Sequence, residues 1–449
     1  MLKEYDEYRL TPEAIWYDRV PVKWNSTKMR TMFTERVTKV SDKEYPALSV
    51  GKMGVVPQLE TAVKTDNGDN RKLICEGDFA INSRSDRKGS SGISDYTGSA
   101  SLIITVLQPF EELNRRYYHY LLRSNGFVEE FYRNGHGLVS DLWTTKWQEM
   151  KNIFIPVPPK VEQDQIVRYL DWKVSEMNHL IHGMKRQIKL LKEYRENIIC
   201  QYTHKGFVKE RKMNPSEFPW IEGVPEGWAE TRLKYVLAKL SRERKPEHEL
   251  LICSNKGKVF FRGDSKMGLV ADDDSIYQGV KSGDLLIHGM DTWHGAIAIS
   301  DYDGMCTGVV HVCDTKENKR FIMYYLQSLA FKKVYKKITN GVRENTSDFR
   351  SWDKAGQINL LLPPIEEQNE IARILDEKND QIEQLIASLD QEIIFVEELK
   401  TKTIADVVTG QVDVRNVIIP EYTTDDGTDD DFDSEDTDDD SEESDEDEE

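Results

Sequence analysis

The strongest pattern in the chain is a helical alternation of apolar and polar positions that occurs twice. From Glu162, apolar side chains recur at Ile166, Leu170, Met177, Ile181, Met184, Ile188, Leu191 and Ile198. From Glu367 they recur at Ile371, Leu375, Ile382, Leu385, Leu389, Ile393, Val396 and Leu399. Spacing by three and four predicts a long helix with one packed seam in each stretch. No proline interrupts either, and about 40 residues at 1.5 Å each would span roughly 60 Å. Ahead of each helix, Pro158–Pro159 and Pro363–Pro364 restrict the backbone and make a rigid start. Further upstream the pattern changes. Short β-branched runs (LIITV at 102–106, GVVHV at 308–312) alternate with Gly, Asp, Asn and Ser clusters, as in strands joined by turns. Helices are predicted over 115–132 and 320–338.

These two patterns belong to one internal repeat. At an offset of 205, Pro158, Pro159, Glu162, Gln163, Ile166, Arg168, Leu170, Asp171 and Lys173 match Pro363, Pro364, Glu367, Gln368, Ile371, Arg373, Leu375, Asp376 and Lys378. At 206, GDFAIN (77–82) matches GDLLIH (283–288), and ISDYTG (93–98) matches ISDYDG (299–304). At 204, VPVKW (20–24) matches VPEGW (224–228). Shared composition explains single matches, but not three ordered blocks at a nearly constant offset. The fold expected is α+β: two tandem mixed α/β domains separated by two long antiparallel helices. Its divisions are an extension over 1–19, a first domain over 20–157, a helical spacer over 158–206 and a linker over 207–223. A second domain over 224–362, a second spacer over 363–412 and a C-terminal segment over 413–449 follow.

Charge refines this picture. The chain has 449 residues, 60 Lys or Arg and 80 Asp or Glu, a formal net charge of −20. Residues 425–449 hold 18 of those carboxylates and no basic residue, so the first 424 residues carry 60 basic against 62 acidic groups. The acidity belongs to a terminal run, expected to be disordered and able to compete with phosphates, and does not exclude a nucleic-acid ligand. The first helical stretch (161–205) has 8 basic and 6 acidic residues, the second (366–410) 4 and 12, which favours the two pairing with each other. Mean hydropathy is −0.61 and no apolar run approaches bilayer length, so no membrane role is expected. Five cysteines without a CxxC spacing suit a reducing cytoplasm.

Two like units on a paired-helix spacer suit the reading of two half-sites at a fixed separation, and divergence between the units would make the target asymmetric. The segment WIEGVPEGWAETRLKYV (220–236), the GD…SDY block in both halves and the LPP–EEQ–IARILD element resemble the specificity subunit of type I restriction–modification systems, over roughly residues 20 to 412. That resemblance implies two target-recognition domains, antiparallel conserved helices, and no catalysis in this chain. It also implies double-stranded DNA, two methyltransferase subunits and restriction/translocase subunits as partners. S-adenosylmethionine, and ATP with Mg, would be used by those partners and no cofactor by this chain. The residues agree. The chain has no Asp/Asn-Pro-Pro-Tyr/Phe for gripping a flipped base and no Gly-rich phosphate loop ending in Lys-Ser/Thr. His288, His294, Cys306, His311 and Cys313 fit no zinc spacing, and are read as strand and loop residues. Other readings are the recognition subunit of a bipartite type II system, and a coiled-coil DNA mimic built on the acidic run.

Duplex recognition needs Lys and Arg for phosphates, and Arg, Lys, Asn or Gln for base edges. In the first half the candidates are Lys52, Gln58, Arg71, Lys72, Arg84, Arg87, Lys88 and Arg133. In the second they are Lys256, Lys258, Arg262, Lys266, Asn340 and Arg343, with Lys332, Lys333, Lys336 and Lys337 on one face of the helix predicted over 320–338. For any one of them, a solvated surface charge is the bland alternative. Asp78, Asp284, Asp95 and Asp301 would repel phosphate, and are read as scaffold in turns or helix caps.

Overall fold

The computed structural model describes residues 3–58, 68–84, 87–110, 113–137, 143–208, 210–218, 220–245, 247–255, 257–263, 277–338 and 349–425. The chain divides into two compact units, Met1–Lys185 with Asp390–Glu449, and Arg186–Leu389. The division falls inside the two long helices, so each unit takes a piece of both.

In unit 1 a four-stranded antiparallel sheet is built from β1 (Phe33–Glu35), β2 (Phe79–Asn82), β3 (Ser91–Ile93) and β4 (Ile104–Pro109), in the order β3-β2-β4-β1. The predicted helix over 115–132 is two helices, α1 (Arg115–Arg123) and α2 (Asn125–Arg133). The chain turns at Ser124 (ψ 144°) and restarts with Gly126 against Trp16, where a Cβ would lie 2.9 Å from the ring. The turn lets both halves bury aromatics: Tyr117, Tyr118, Phe127 and Phe131 join Phe79 and Leu107 in one core. From the extension over 1–19, Tyr5, Ala14 and Tyr17 belong to that core.

Helix α3 (Lys160–Lys205) contributes Ile166, Val167 and Leu170 to the core of unit 1, where they meet Val407 and Val408. In unit 2 it contributes Ile198 and Ile199. Every seam position predicted for this helix is buried except Leu191, which is partly buried.

Unit 2 repeats the plan. Strands β5 (Ala238–Lys239), β6 (Leu285–His288), β7 (Ile297–Ile299) and β8 (Val310–Asp314) take the order β7-β6-β8-β5. The register repeats too: Leu107 faces Phe79 as Cys313 faces Leu285, and Ser91 faces Ile81 as Ile297 faces Ile287. The predicted helix over 320–338 is again two, α4 (Lys319–Phe331) and α5 (Val334–Ile338), broken where Lys333 adopts φ 53°. Reversal there buries Val334 and Tyr335, whose hydroxyl donates to Leu326 O at 2.9 Å.

Helix α6 (Ile365–Val408) places Ile371, Leu375 and Ile382 in the core of unit 2. Its predicted seam is only partly correct, for Leu385 and Leu399 are exposed. Within unit 2 Arg195 pairs with Glu383 at 3.0 Å, and within unit 1 Lys400 donates to Asn178 at 3.1 Å. Within unit 1, Ile166 and Leu170 share a core with Val407 and Val408 while the later Asn178 meets the earlier Lys400, so these pieces of α3 and α6 run antiparallel.

Candidate nucleic-acid interface

The repeated sequence blocks are a repeated polar framework. Gly77 (φ 83°) and Gly283 (φ 87°) sit in the left-handed region that lets the chain turn into β2 and β6. The aspartate after each glycine closes the turn on the backbone, Asp78 accepting from Cys75 N at 2.9 Å and Asp284 from Lys281 N at 2.8 Å. Each then grips an arginine with both oxygens. Arg36 donates to Asp78 at 2.6 and 3.0 Å, while Arg242 donates to Asp284 through two nitrogens, one at 3.1 Å. The aspartates raise the pKa of both guanidiniums through these hydrogen bonds. These carboxylates are turn and sheet scaffold, as their charge required.

The same holds at the start of the long helices. Trp24 Nε1 donates to Glu162 at 2.7 Å and Trp228 Nε1 to Glu367 at 3.0 Å. Gln163 accepts from Asn114 N and donates to Pro158 O, as Gln368 does with Asn318 N and Pro363 O. Tyr120 and Tyr324 donate to Asp171 and Asp376 at 2.8 and 2.6 Å. Asn114 and Asn318 cap α1 and α4 by accepting from Tyr117 N and Phe321 N. The recurring residues are therefore those that fasten the start of each long helix to its unit, whereas the loops after β2 and β6 differ between the copies.

The candidate contacts separate into surface and scaffold. Arg71 is a correction: it is buried at 5 % exposure, and its guanidinium donates to Ser99 Oγ at 3.0 Å and Ser99 O at 3.1 Å. Lys72, next to it, donates to Ile104 O at 2.8 Å and pairs with Glu35 at 3.4 Å, so it ties strands together. Lys258 is exposed but lies 2.7 Å from Glu383, held by a long helix of its own unit. Lys52 occupies an exposed hairpin tip and Gln58 is half-buried at the end of the same hairpin. Arg84, Arg87 and Lys88 are exposed beside β2, with Lys88 at 2.5 Å from Glu129 and over the Tyr132 ring at 5.9 Å. Arg133 is bound twice to Glu130, at 2.7 and 2.8 Å.

The four lysines of unit 2 do not share one helical face, a second correction. Lys332 and Lys333 lie in the break, Lys332 at 3.8 Å from Glu222, while Lys336 and Lys337 are on α5. Arg262 is half-buried, its amide bonded to Leu250 O at 2.9 Å. Lys256, Lys266, Asn340 and Arg343 lie outside the described residues.

The loop after β6 carries Trp293, absent from the candidate contacts, beside His294, considered above only for a metal. Trp293 and His294 stack with centroids 6.0 Å apart, and Lys336 sits over Trp293 at 5.0 Å. This loop answers the Arg84–Lys88 loop of unit 1, with an aromatic pair and a helix lysine in place of loop cations and Glu129. A tryptophan opposite a cluster of helix lysines was the available signal.

The histidines and cysteines weighed for a metal do other work. His311 contacts Phe349 O at 2.6 Å and His288 faces Asp291 at 3.1 Å; burial lowers the pKa of both rings. Burial pushes the Cys306 and Cys313 thiols up to about 12. Among the described residues, no group of three or more His, Cys, Asp or Glu side chains could hold a metal ion. No described helix is long and apolar enough to cross a membrane.

The described residues thus form one α/β framework built twice, with different side chains on the loops after β2 and β6. Residues 225–393 match the family described as type I restriction modification DNA specificity domain. The chain is 25 % identical over 406 residues to the putative type I restriction enzyme MjaX specificity subunit of Methanocaldococcus jannaschii, covering 85 % of this chain and 87 % of that one. It is 27 % identical over 289 residues to the MjaVIII specificity subunit of the same organism, covering 60 % and 64 %. A chain solved in work on complex assembly and conformational transition of the type I R-M system shares the fold, with TM-score 0.58 and 14 % identity over 88 % of this chain and 99 % of that chain. The chain is thus similar in sequence and in fold to type I restriction–modification specificity subunits.

Proposed function

We propose that this chain reads an asymmetric, two-part DNA target, one block per unit, and carries methyltransferase subunits to it without chemistry of its own. The observation that carries this reading is one framework built twice, from strand register to buried Arg–Asp pair, with different side chains on the loops after β2 and β6. A framework held constant while its loops change is suited to reading two different short sequences. Among the described residues, Arg84, Arg87 and Lys88 in unit 1, and Lys336 and Lys337 in unit 2, are exposed cations suited to phosphates and base edges. The long helices present exposed apolar side chains, Phe395 at 65 % and Leu190 at 56 %, as surfaces for partner subunits. S-adenosylmethionine would then be used by the methyltransferase, and ATP with Mg by any restriction subunit.

Co-expression with its methyltransferase and genome-wide mapping of N6-methyladenine tests this. One motif of two short blocks separated by a fixed gap is expected. A continuous motif, or none with an active methyltransferase present, would overturn the reading.

A further inference from the structure

Helix α3 carries a polar notch within unit 1 that no part of the recognition framework uses. Ser175 and Asn178 are buried there, at 5 and 4 % exposure, with His179 and His182 on the same face. The notch is filled by the chain's own C-terminal segment. Asp425 N donates to Ser175 Oγ at 3.1 Å, and Asp425 O accepts from Asn178 Nδ2 at 2.9 Å and Ser175 Oγ at 3.3 Å. The Asp425 carboxylate meets His182 Nδ1 at 2.9 Å and His179 Nδ1 at 3.0 Å, and Thr423 O contacts His179 Nε2 at 3.1 Å. Lys400 orients the notch by donating to Asn178 Oδ1 at 3.1 Å. Ten residues upstream the segment is already fastened, with Val414 in the core and Gln165 Nε2 donating to Val414 O and Val417 O.

We propose that Ser175, Asn178, His179 and His182 form a receptor for an aspartate in an extended peptide, filled in cis by Thr423–Asp425. Ser175, Asn178 and His179 meet the peptide backbone, and His179 and His182 face the carboxylate, so the site selects both an open backbone and an acidic residue on it. Asp425 is the first carboxylate of the 18 in residues 425–449. The receptor thereby holds the first of these carboxylates against α3. The other copy lacks the site: at an offset of 205 the four positions are Asp380, Glu383, Gln384 and Ala387. Glu383 there takes Arg195 and Lys258, and a carboxylate in place of Asn178 would repel an incoming aspartate. The receptor is thus one place where the two copies of the repeat are unequal.

Hydrogen exchange on the full chain decides the proposal. In the wild type, amides of residues 418–425 should exchange well below the rate of an unstructured peptide. Asp425→Ala, which removes the carboxylate, and Asn178→Ala with His182→Ala, which empties the notch, should each speed them by about tenfold or more. Residues 410–417, held independently, and Ile166–Leu170 should exchange as in the wild type, showing that the unit remains folded. Glu421→Ala, which removes a carboxylate outside the notch, should change nothing. Unprotected exchange of 418–425 in the wild type would overturn the proposal. So would wild-type protection in both notch variants, or an equal effect of Glu421→Ala.

Discussion

Replacing Asp78 with alanine tests whether the repeated Arg–Asp pair holds each unit together. The substitution removes the acceptor of three hydrogen bonds at once, two from Arg36 and one from Cys75 N. The Asp78 side chain is 3 % exposed and that of Arg36 18 %, so the guanidinium would lose its partner while largely out of water. Breaking a buried pair from one side costs about 3–5 kcal/mol, and the partial exposure of Arg36 puts the expected loss near the lower end, about 3 kcal/mol. In unit 2 the corresponding exposures are 6 % for Asp284 and 30 % for Arg242. Water can replace more of that pair, and Asp284→Ala should cost about 2 kcal/mol. Two units do not unfold as one two-state system, so a single melting temperature would blur the comparison. Native-state hydrogen exchange resolves it, reading Phe79–Asn82 for unit 1 and Leu285–His288 for unit 2. At about 1.4 kcal/mol per factor of ten, Asp78→Ala should speed exchange in its own strand by roughly 100-fold, and Asp284→Ala in its own by roughly 30-fold. Replacing Arg36 and Asp78 together by leucines should recover much of the loss, because no buried charge is left unpaired. Exchange within threefold of the wild type in Asp78→Ala would refute the assignment of the pair as framework.

Surface and scaffold cations should separate by salt dependence. Arg84→Ala with Arg87→Ala and Lys88→Ala should weaken DNA binding and lower the slope of log affinity against log salt, by about 0.9 for each phosphate no longer neutralised. Arg71→Ala should instead destabilise unit 1 by about 2 kcal/mol, since Ser99 loses a buried charged donor, with the salt slope unchanged in protein that remains folded. Asn114→Ala removes the cap of α1 and a 2.6 Å bond to Asp164; loss of about 1–2 kcal/mol is expected, read as faster exchange at Tyr117 and Tyr118. Burial holds the Cys200 thiol at about 11 and those of Cys306 and Cys313 at about 12, against an ordinary value near 9. Thiolate forms as pH rises through the pKa, so iodoacetamide at pH 8 should leave these three unlabelled in the folded chain and label them after denaturation, as read by mass spectrometry.

What could be read in the sequence depended on the range over which each signal acts. The α3 seam was legible because its spacing is local and every position it names is buried or partly buried. In α6 the same rule overreached. Ile393, Ile394, Phe395 and Val396 are consecutive, so periodicity alone could not say which of them turns inward, and Ile394 and Phe395 are exposed. The helix breaks at Ser124 and Lys333 were illegible for a related reason, since neither residue forbids a helix and each break is set by what the next turn buries. Arg71 shows the limit for candidate contacts. It looked like a polar loop residue because its partner, Ser99, lies 28 positions away, and only the pairing of the strand Gly98–Ala100 with Arg71–Ile74 brings them together.

The repeat extends past the long helices. Gly206, Val208 and Arg211 recur at offset 204 as Gly410, Val412 and Arg415. Both glycines end a long helix in the left-handed region, at φ 71° and 72°. Arg211 then binds Glu367 at 2.8 Å, while Arg415 binds Asp413 at 2.7 Å and covers the Tyr5 ring, whose hydroxyl donates to Glu162. In unit 2 one continuous linker supplies both the arginine after the helix and the tryptophan on the glutamate. In unit 1 those duties fall to opposite chain ends, the arginine from 410–415 and Trp24 from the start. Tyr5 of the segment over 1–19 and Arg415 of the segment after 412 thus meet at the start of α3, beside Glu162.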